Sequence, residues 1–149
     1  MSRRELREQI FKLLFRVEFN GREEMPEQEQ LFFEQFSYED EEILVKDSDA
    51  RYISEKSSKI IDRLEEIDEM INKQAKGWTT QRMGKVDLTI LRLAVYEIIY
   101  DENVPVGVAI NEAVELAKRY GGDKSFGFVN GVLASVVKDL PAGQAENEE

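Results

Sequence analysis

The chain has 149 residues and a formal net charge of −11, with no Cys and no His. Disulfides and thiolate chemistry are therefore excluded, as are the usual neutral-pH acid–base and the zinc sets built on His. No apolar run is long enough to span a bilayer, and the charged N-terminal helix is unlike a signal peptide, so a cytoplasmic protein is expected.

The length suits a single domain of two small subdomains sharing a core, about 1–75 and 76–140, with an acidic frayed tail at 141–149. The charge is uneven. Residues 1–17 carry five Lys/Arg against two Asp/Glu, residues 18–72 six against eighteen, and residues 73–149 nine against eleven. An acidic field repels polyanions, so a basic N-terminal patch standing away from it is informative.

Residues 2–19 read as an amphipathic helix, opened by the capping box Ser2/Glu5 and closed at Gly21. Leu6, Ile10, Leu13, Leu14 and Val17 form its core face. A second stripe, Arg4, Arg7, Phe11 and Phe15, with Arg3 beside it, puts basic and aromatic groups on a surface read as largely solvent-facing. Guanidinium groups bind phosphate in two-pronged fashion and rings stack on splayed bases. The same pattern also fits phenylalanines packed in the core and arginines that merely solvate a helix.

Pro26 suits the first turn of a second helix, with Leu31, Phe32 and Phe36 as its short apolar face. Ser37–Lys46 reads as a charged connection whose run Glu39-Asp40-Glu41-Glu42 is solvated surface. Asp47-Ser48-Asp49 offers caps for a long helix over 50–74. There Ile53, Ser57, Ile60, Leu64, Ile67 and Ile71 make a seam at alternating steps of four and three. Gly77 ends it, and Trp78–Met83 reads as a short helix capped by Thr79 or Thr80.

The remainder is the most apolar part. Asp87 can cap a helix with Leu88, Leu91, Val95 and Ile98 on one face. Val104-Pro105 interrupts it. The next helix points Ile110, Ala113, Val114 and Ala117 inward and stops at Gly121-Gly122, where a left-handed end costs least. Asp123 can cap the last, whose apolar face is Phe128, Val129, Val132, Leu133 and Val136. Gly127 and Gly131, one turn apart, suggest a close helix crossing. Helices with short loops and one apolar side each must share a core, so the expected fold is an all-α bundle of about seven helices.

Catalytic signals are weak. Gly122-Asp123-Lys124-Ser125 lacks the glycine before its lysine and the leading strand of a phosphate loop. Glu112 and Glu115 share a helix face, as surface charges commonly do. A binding protein without catalysis, metal or cofactor is expected.

Four phrases, Val86-Asp87-Leu88-Thr89-Ile90-Leu91-Arg92-Leu93-Ala94-Val95-Tyr96-Glu97, Val104-Pro105, Val108-Ala109-Ile110-Asn111-Glu112-Ala113-Val114-Glu115-Leu116-Ala117 and Phe128-Val129-Asn130-Gly131-Val132-Leu133, resemble the NusB family of bacterial transcription antitermination factors in order and spacing. The Arg-rich helix Arg3–Phe19 resembles it too, whereas residues 22–50 match poorly. The resemblance implies a bundle of two helical subdomains that binds boxA RNA with the ribosomal protein NusE and supports read-through by RNA polymerase, notably in ribosomal RNA operons. It implies RNA contacts at Arg3, Arg4, Arg7, Phe15, Lys124, Ser125 and Phe128, and a partner surface around Trp78–Arg92, with Trp78, Arg82 and Asp87. Phe15 stands where the family often has tyrosine, leaving stacking alone. Gly127 stands where some members carry lysine. Some RNA cytosine methyltransferases carry a similar N-terminal domain, but this chain leaves no room for a methyl-donor domain. A helical protein–protein adaptor without sequence-specific RNA binding is the alternative. Either a monomer or a homodimer is compatible with the sequence.

Overall fold

The computed structural model describes residues 1–39 and 45–141, with residues 36–39 described by backbone alone. Among these residues every regular element is helical. The helices are α1 (Arg3–Phe15), α2 (Met25–Glu39), α3 (Asp47–Asp62), α4 (Leu64–Gln74), α5 (Lys85–Tyr100), α6 (Val106–Tyr120) and α7 (Ser125–Lys138), with 3-10 turns at Arg16–Glu18 and Arg22–Glu24. The chain divides into two compact units, Met1–Asp62 and the residues from Arg63 onward.

In the first unit α1 packs against α3 and α2. Ser2 caps α1, its hydroxyl accepting from the Glu5 N–H at 3.1 Å. Ile10, Leu13 and Leu14 are buried as the spacing requires, and Leu6 and Val17 are half-buried. The helix ends at Phe15, before the expected stop at Gly21, because the chain tightens into a 3-10 turn that Arg16 anchors. The Arg16 guanidinium donates to the Gln28 carbonyl and side chain, both at 3.1 Å, and to Gln35 at 3.2 Å. It also lies 5.5 Å from the centre of the Phe32 ring. On α2, Phe32 is buried while Leu31 is exposed; the Phe36 side chain lies outside the described residues. The helix runs on to Glu39, so the expected connection from Ser37 starts later. Residues 40–44 and the acidic tail beyond Pro141 lie outside the described residues.

The seam Ile53, Ser57, Ile60, Leu64, Ile67 and Ile71 is buried throughout, yet the single long helix is not formed. Arg63 leaves helical geometry (φ −113°, ψ 13°) and splits the seam into α3 and α4. Periodicity records burial, and burial continues across the break; it does not register that α3 packs on α1 while α4 packs on α5 and α7. The two compact units accordingly meet in sequence at Asp62/Arg63.

In the second unit α5 packs against α4, α6 and α7. From Leu88 to Ile98 every side chain except Arg92 is buried, as a helix enclosed on all sides requires. Arg92 emerges between helices and meets Asp68 of α4 in a two-pronged pair, Nε to Oδ1 at 2.9 Å and Nη2 to Oδ2 at 2.8 Å. Further along, the Tyr100 hydroxyl donates to Glu66 at 2.7 Å, and the Arg63 guanidinium lies 4.2 Å from the Tyr100 ring centre. Desolvation, reinforced by the Glu66 carboxylate and opposed by Arg63, raises the Tyr100 pKa above its ordinary value.

Several local expectations are corrected here. Asp87 does not cap α5: the cap position is Gly84, and Asp87 sits half-buried inside the first turn, where a carboxylate favours the helix dipole. Asp123 does not cap α7, which has no side-chain cap bond. Residues 78–83 form a turn, not a helix. In place of a threonine cap, the Asn72 side chain accepts from the Thr80 N–H at 2.7 Å. On α6 the buried face is Val106, Ala109, Ala113, Leu116 and Ala117, so Ile110 and Val114 are only half-buried. Both registers have helical spacing; the small Ala109 side chain takes the tighter side.

The glycines also sort differently. Gly77 is left-handed at φ 81° and follows α4 as expected. Gly121 is extended (φ −90°, ψ −179°), so it is not a left-handed stop. It is glycine because a Cβ there would lie 2.5 Å from the Ser125 side chain and 2.7 Å from the Ala117 carbonyl oxygen. Gly127 and Gly131 are exposed, and a Cβ on either meets nothing within 4 Å, so among the described residues no helix crosses closely there.

Candidate nucleic-acid interface

The first unit presents its basic residues along α1, and burial separates them. Arg3 and Arg4 are exposed on the first turn. Arg7 is only 9% exposed and Phe11 4%, so the stripe does not run along solvent as expected. The reason is geometric: Arg7 and Phe11 are one turn apart beside Ile10 and Leu14, at the edge of the core face, and the aliphatic stem of an arginine packs like a hydrophobe. Lys12 pairs with Glu8 at 3.7 Å, and Arg16 is committed to α2.

The aromatic part of the stripe forms a ladder. Phe11 and Phe15 have ring centres 6.5 Å apart, and Phe15 and Phe19 meet edge to face at 5.3 Å. Burial falls along it, from Phe11 inside through half-buried Phe15 to Phe19, which is 61% exposed. Phe19 is the ring that sequence reasoning misses. Its signal is present, since positions 11, 15 and 19 continue one four-residue step, but the chain leaves the α-helix at Phe15.

The second unit contributes the start of α7. Lys124 is exposed. Ser125 is 7% exposed, and its hydroxyl accepts from the Gly122 N–H at 3.0 Å. That bond, together with the crowding at Gly121, shapes the loop that carries Lys124 and leaves Ser125 little surface of its own. Phe128 is half-buried, its ring centre 6.0 Å from that of Trp78 in an edge-to-face contact. Trp78 is 49% exposed, and the Arg82 guanidinium lies 6.0 Å from its ring centre. The structure thus joins a residue expected to touch RNA, Phe128, to residues expected to touch a protein partner, Trp78 and Arg82. Asp87 is half-buried on the first turn of α5.

Chemically, these groups bind and position. Guanidinium and ammonium groups neutralise phosphate, and exposed rings stack on bases. Among the described residues no group of three Asp or Glu side chains is arranged to hold a metal ion, and no helix is long and apolar enough to cross a membrane.

Comparison with known proteins agrees with this chemistry. The sequence model of the NusB family matches residues 4–138. A transcription antitermination protein NusB of Agathobacter rectalis is 51% identical over 134 residues, covering 90% of this chain and 98% of the relative. Among solved structures, T. maritima NusB matches with a TM-score of 0.79 at 34% identity, over 98% of each chain. A chain from the crystal structure of antitermination factors NusB and NusE in complex with dsRNA matches with a TM-score of 0.77 at 29% identity, over 93% of this chain and 97% of that one.

Proposed function

The chain belongs to the NusB family, and from that premise we propose that it is a cytoplasmic transcription antitermination factor. In this reading it binds boxA-like RNA together with NusE and supports read-through by RNA polymerase. It works by binding alone, with no catalytic step.

The observation that carries the proposal is the pair of exposed guanidinium groups, Arg3 and Arg4, on the first turn of α1 in a chain of net charge −11. Both can meet phosphate on the first turn of α1, and Phe19 and Phe15 offer ring surface on the same segment. In the second unit Lys124 adds a charge at the head of α7, held by the Ser125 loop. Arg7 in the first unit and Ser125 in the second act beneath these groups, fixing the shape of the segment each belongs to. Trp78, Arg82 and Asp87 form the surface for NusE. Ribosomal proteins are typically basic, so such a partner offsets the repulsion that an acidic chain exerts on RNA and adds phosphate contacts. Coupling of this kind is reciprocal, and a tenfold tightening needs only ~1.4 kcal/mol.

The test is fluorescence anisotropy with a boxA-like RNA and a scrambled RNA, with and without saturating NusE, at two salt concentrations. The expected result is weak binding alone and marked tightening with NusE for the boxA-like RNA only. Equal affinities for both RNAs in the presence of NusE would overturn the proposal.

A further inference from the structure

The face of α6 that sequence spacing sends inward is only partly covered in the second unit. Ile110 and Val114 are half-buried and line an open groove of about 430 Å³ between α6 and α7. Phe126, the second residue of α7, lines the same groove and is 45% exposed. Beside it Gly127 has no side chain, and a Cβ there would meet nothing within 4 Å, so the space next to the ring stays open. An exposed ring beside aliphatic side chains gains from a flat apolar group laid against it.

The polar part of the lining narrows the occupant. Lys118 is the charged side chain of the groove. Its ammonium lies 5.7 Å from the Phe126 ring centre, near the outer limit for a cation on a ring. Its ion pair with Glu115 is 3.8 Å long between two half-exposed side chains, a setting in which such pairs are weak. The ammonium is therefore available to an anion. Asn111 and Asn130 add two exposed carboxamides, each able to donate and to accept. Ring, ammonium and carboxamides together match a nucleotide, which has a face to stack, an edge of donors and acceptors, and a phosphate. A single protein side chain uses only one of these.

Position supplies an independent reason. Phe126 and Phe128 are two residues apart, about 200° around the helix, so they stand on opposite sides of the first turn of α7. The exposed Lys124 precedes both at the head of the helix. The groove thus continues the candidate surface of Lys124 and Phe128 around the helix end. We propose that the α6/α7 groove takes one unpaired base of a single-stranded RNA that passes over the head of α7. The base stacks on Phe126, a groove carboxamide meets its edge, and Lys118 meets its phosphate. This rests on the RNA-binding reading above and adds a second base site, on the side of α7 away from Phe128.

The full chain, saturated with NusE, is titrated with a boxA-like RNA carrying unpaired flanks, with affinity read by anisotropy and the groove by amide chemical shifts. RNA is expected to shift the amides of Asn111, Lys118 and Asn130. Phe126→Ala weakens binding about tenfold through loss of one stacked base, and Lys118→Gln flattens the salt slope by about 0.7 units. Both side chains are exposed, so both variants fold, as circular dichroism verifies. Val108→Ala, which truncates a similarly exposed side chain of α6 outside the groove, leaves affinity unchanged. Parental affinity and slope in both groove variants overturn the base site and leave the antitermination reading standing. Equal binding of boxA-like and scrambled RNA by the parent overturns that reading instead, and the same two variants on the scrambled RNA then decide the groove. Groove shifts that appear with NusE alone and do not change on adding RNA assign the groove to a protein and overturn the proposal.

Discussion

Replacing Arg3 and Arg4 together with alanine isolates the electrostatic contribution of α1. Both are exposed on the first turn, so the change creates no cavity and is expected to move stability by about 0.5 kcal/mol or less. For a single-stranded RNA, removing one cation from a phosphate flattens the slope of log affinity against log salt by about 0.7 units, so removing two flattens it by about 1.4. Between 50 and 200 mM salt, log concentration changes by about 0.6, and the deficit of the variant shrinks by roughly sevenfold over that range. Arg7→Ala supplies the contrast. Its side chain is 9% exposed, so its removal costs about 1–3 kcal/mol through packing, while the salt slope of the folded fraction stays near the parent value. The assay is RNA anisotropy with NusE present at four salt concentrations, alongside urea unfolding of each variant. A double variant with the parental slope, or an Arg7→Ala variant with the flattened slope and parental stability, would refute this division between surface and buried arginines.

Three further outcomes are expected. Gly121→Ala destabilises by about 1–3 kcal/mol, since the new methyl meets the Ala117 carbonyl and Ser125, whereas Gly131→Ala, exposed in the interior of α7, stabilises by about 0.5–1 kcal/mol; urea midpoints read both signs. Asp68→Ala leaves the Arg92 guanidinium, whose side chain is 12% exposed, without its two-pronged partner and costs about 2 kcal/mol, seen as a lower midpoint at unchanged urea dependence. The raised pKa of Tyr100 means that the folded chain holds this proton more tightly than the unfolded one. The associated stability is present below the ordinary tyrosine pKa of about 10 and is lost as pH rises through the folded value. Tyr100→Phe removes that part of the alkaline loss, and thermal melts from pH 8 to 11 compare the two slopes.

Much of the fold is legible because burial has a period. The seam from Ile53 to Ile71 and the α5 face from Leu88 to Ile98 are buried where spacing puts them. The break at Arg63 is not legible. No glycine or proline marks it, and the seam keeps its step while its two halves enter different cores. Helix caps mislead for a related reason. Asp87 and Asp123 suit a cap by residue type, but α5 starts two residues before Asp87, and α7 starts at Ser125 with no side-chain cap bond. The glycines of α7 mislead because an exposed helix position and a close crossing both accept glycine, and only the surroundings distinguish them.

The candidate interface is legible in residue type and less so in role. The stripe Arg4, Arg7, Phe11 and Phe15 lies next to the core face, and a step of three residues, which falls about 60° short of a full helical turn, separates a surface arginine from a buried one. Arg4 stays outside and Arg7 goes in. That difference has a functional consequence within the proposed reading. A chain of net charge −11 repels RNA overall, so the cations that meet it must be held where they are useful. Arg7 and Arg16 are used inside the first unit, and Ser125 inside the second, to fix the segments that carry Arg3, Arg4, Phe19 and Lys124. With acidic side chains exceeding basic ones by eleven, weak binding alone and strong dependence on a basic partner follow from that balance of charge.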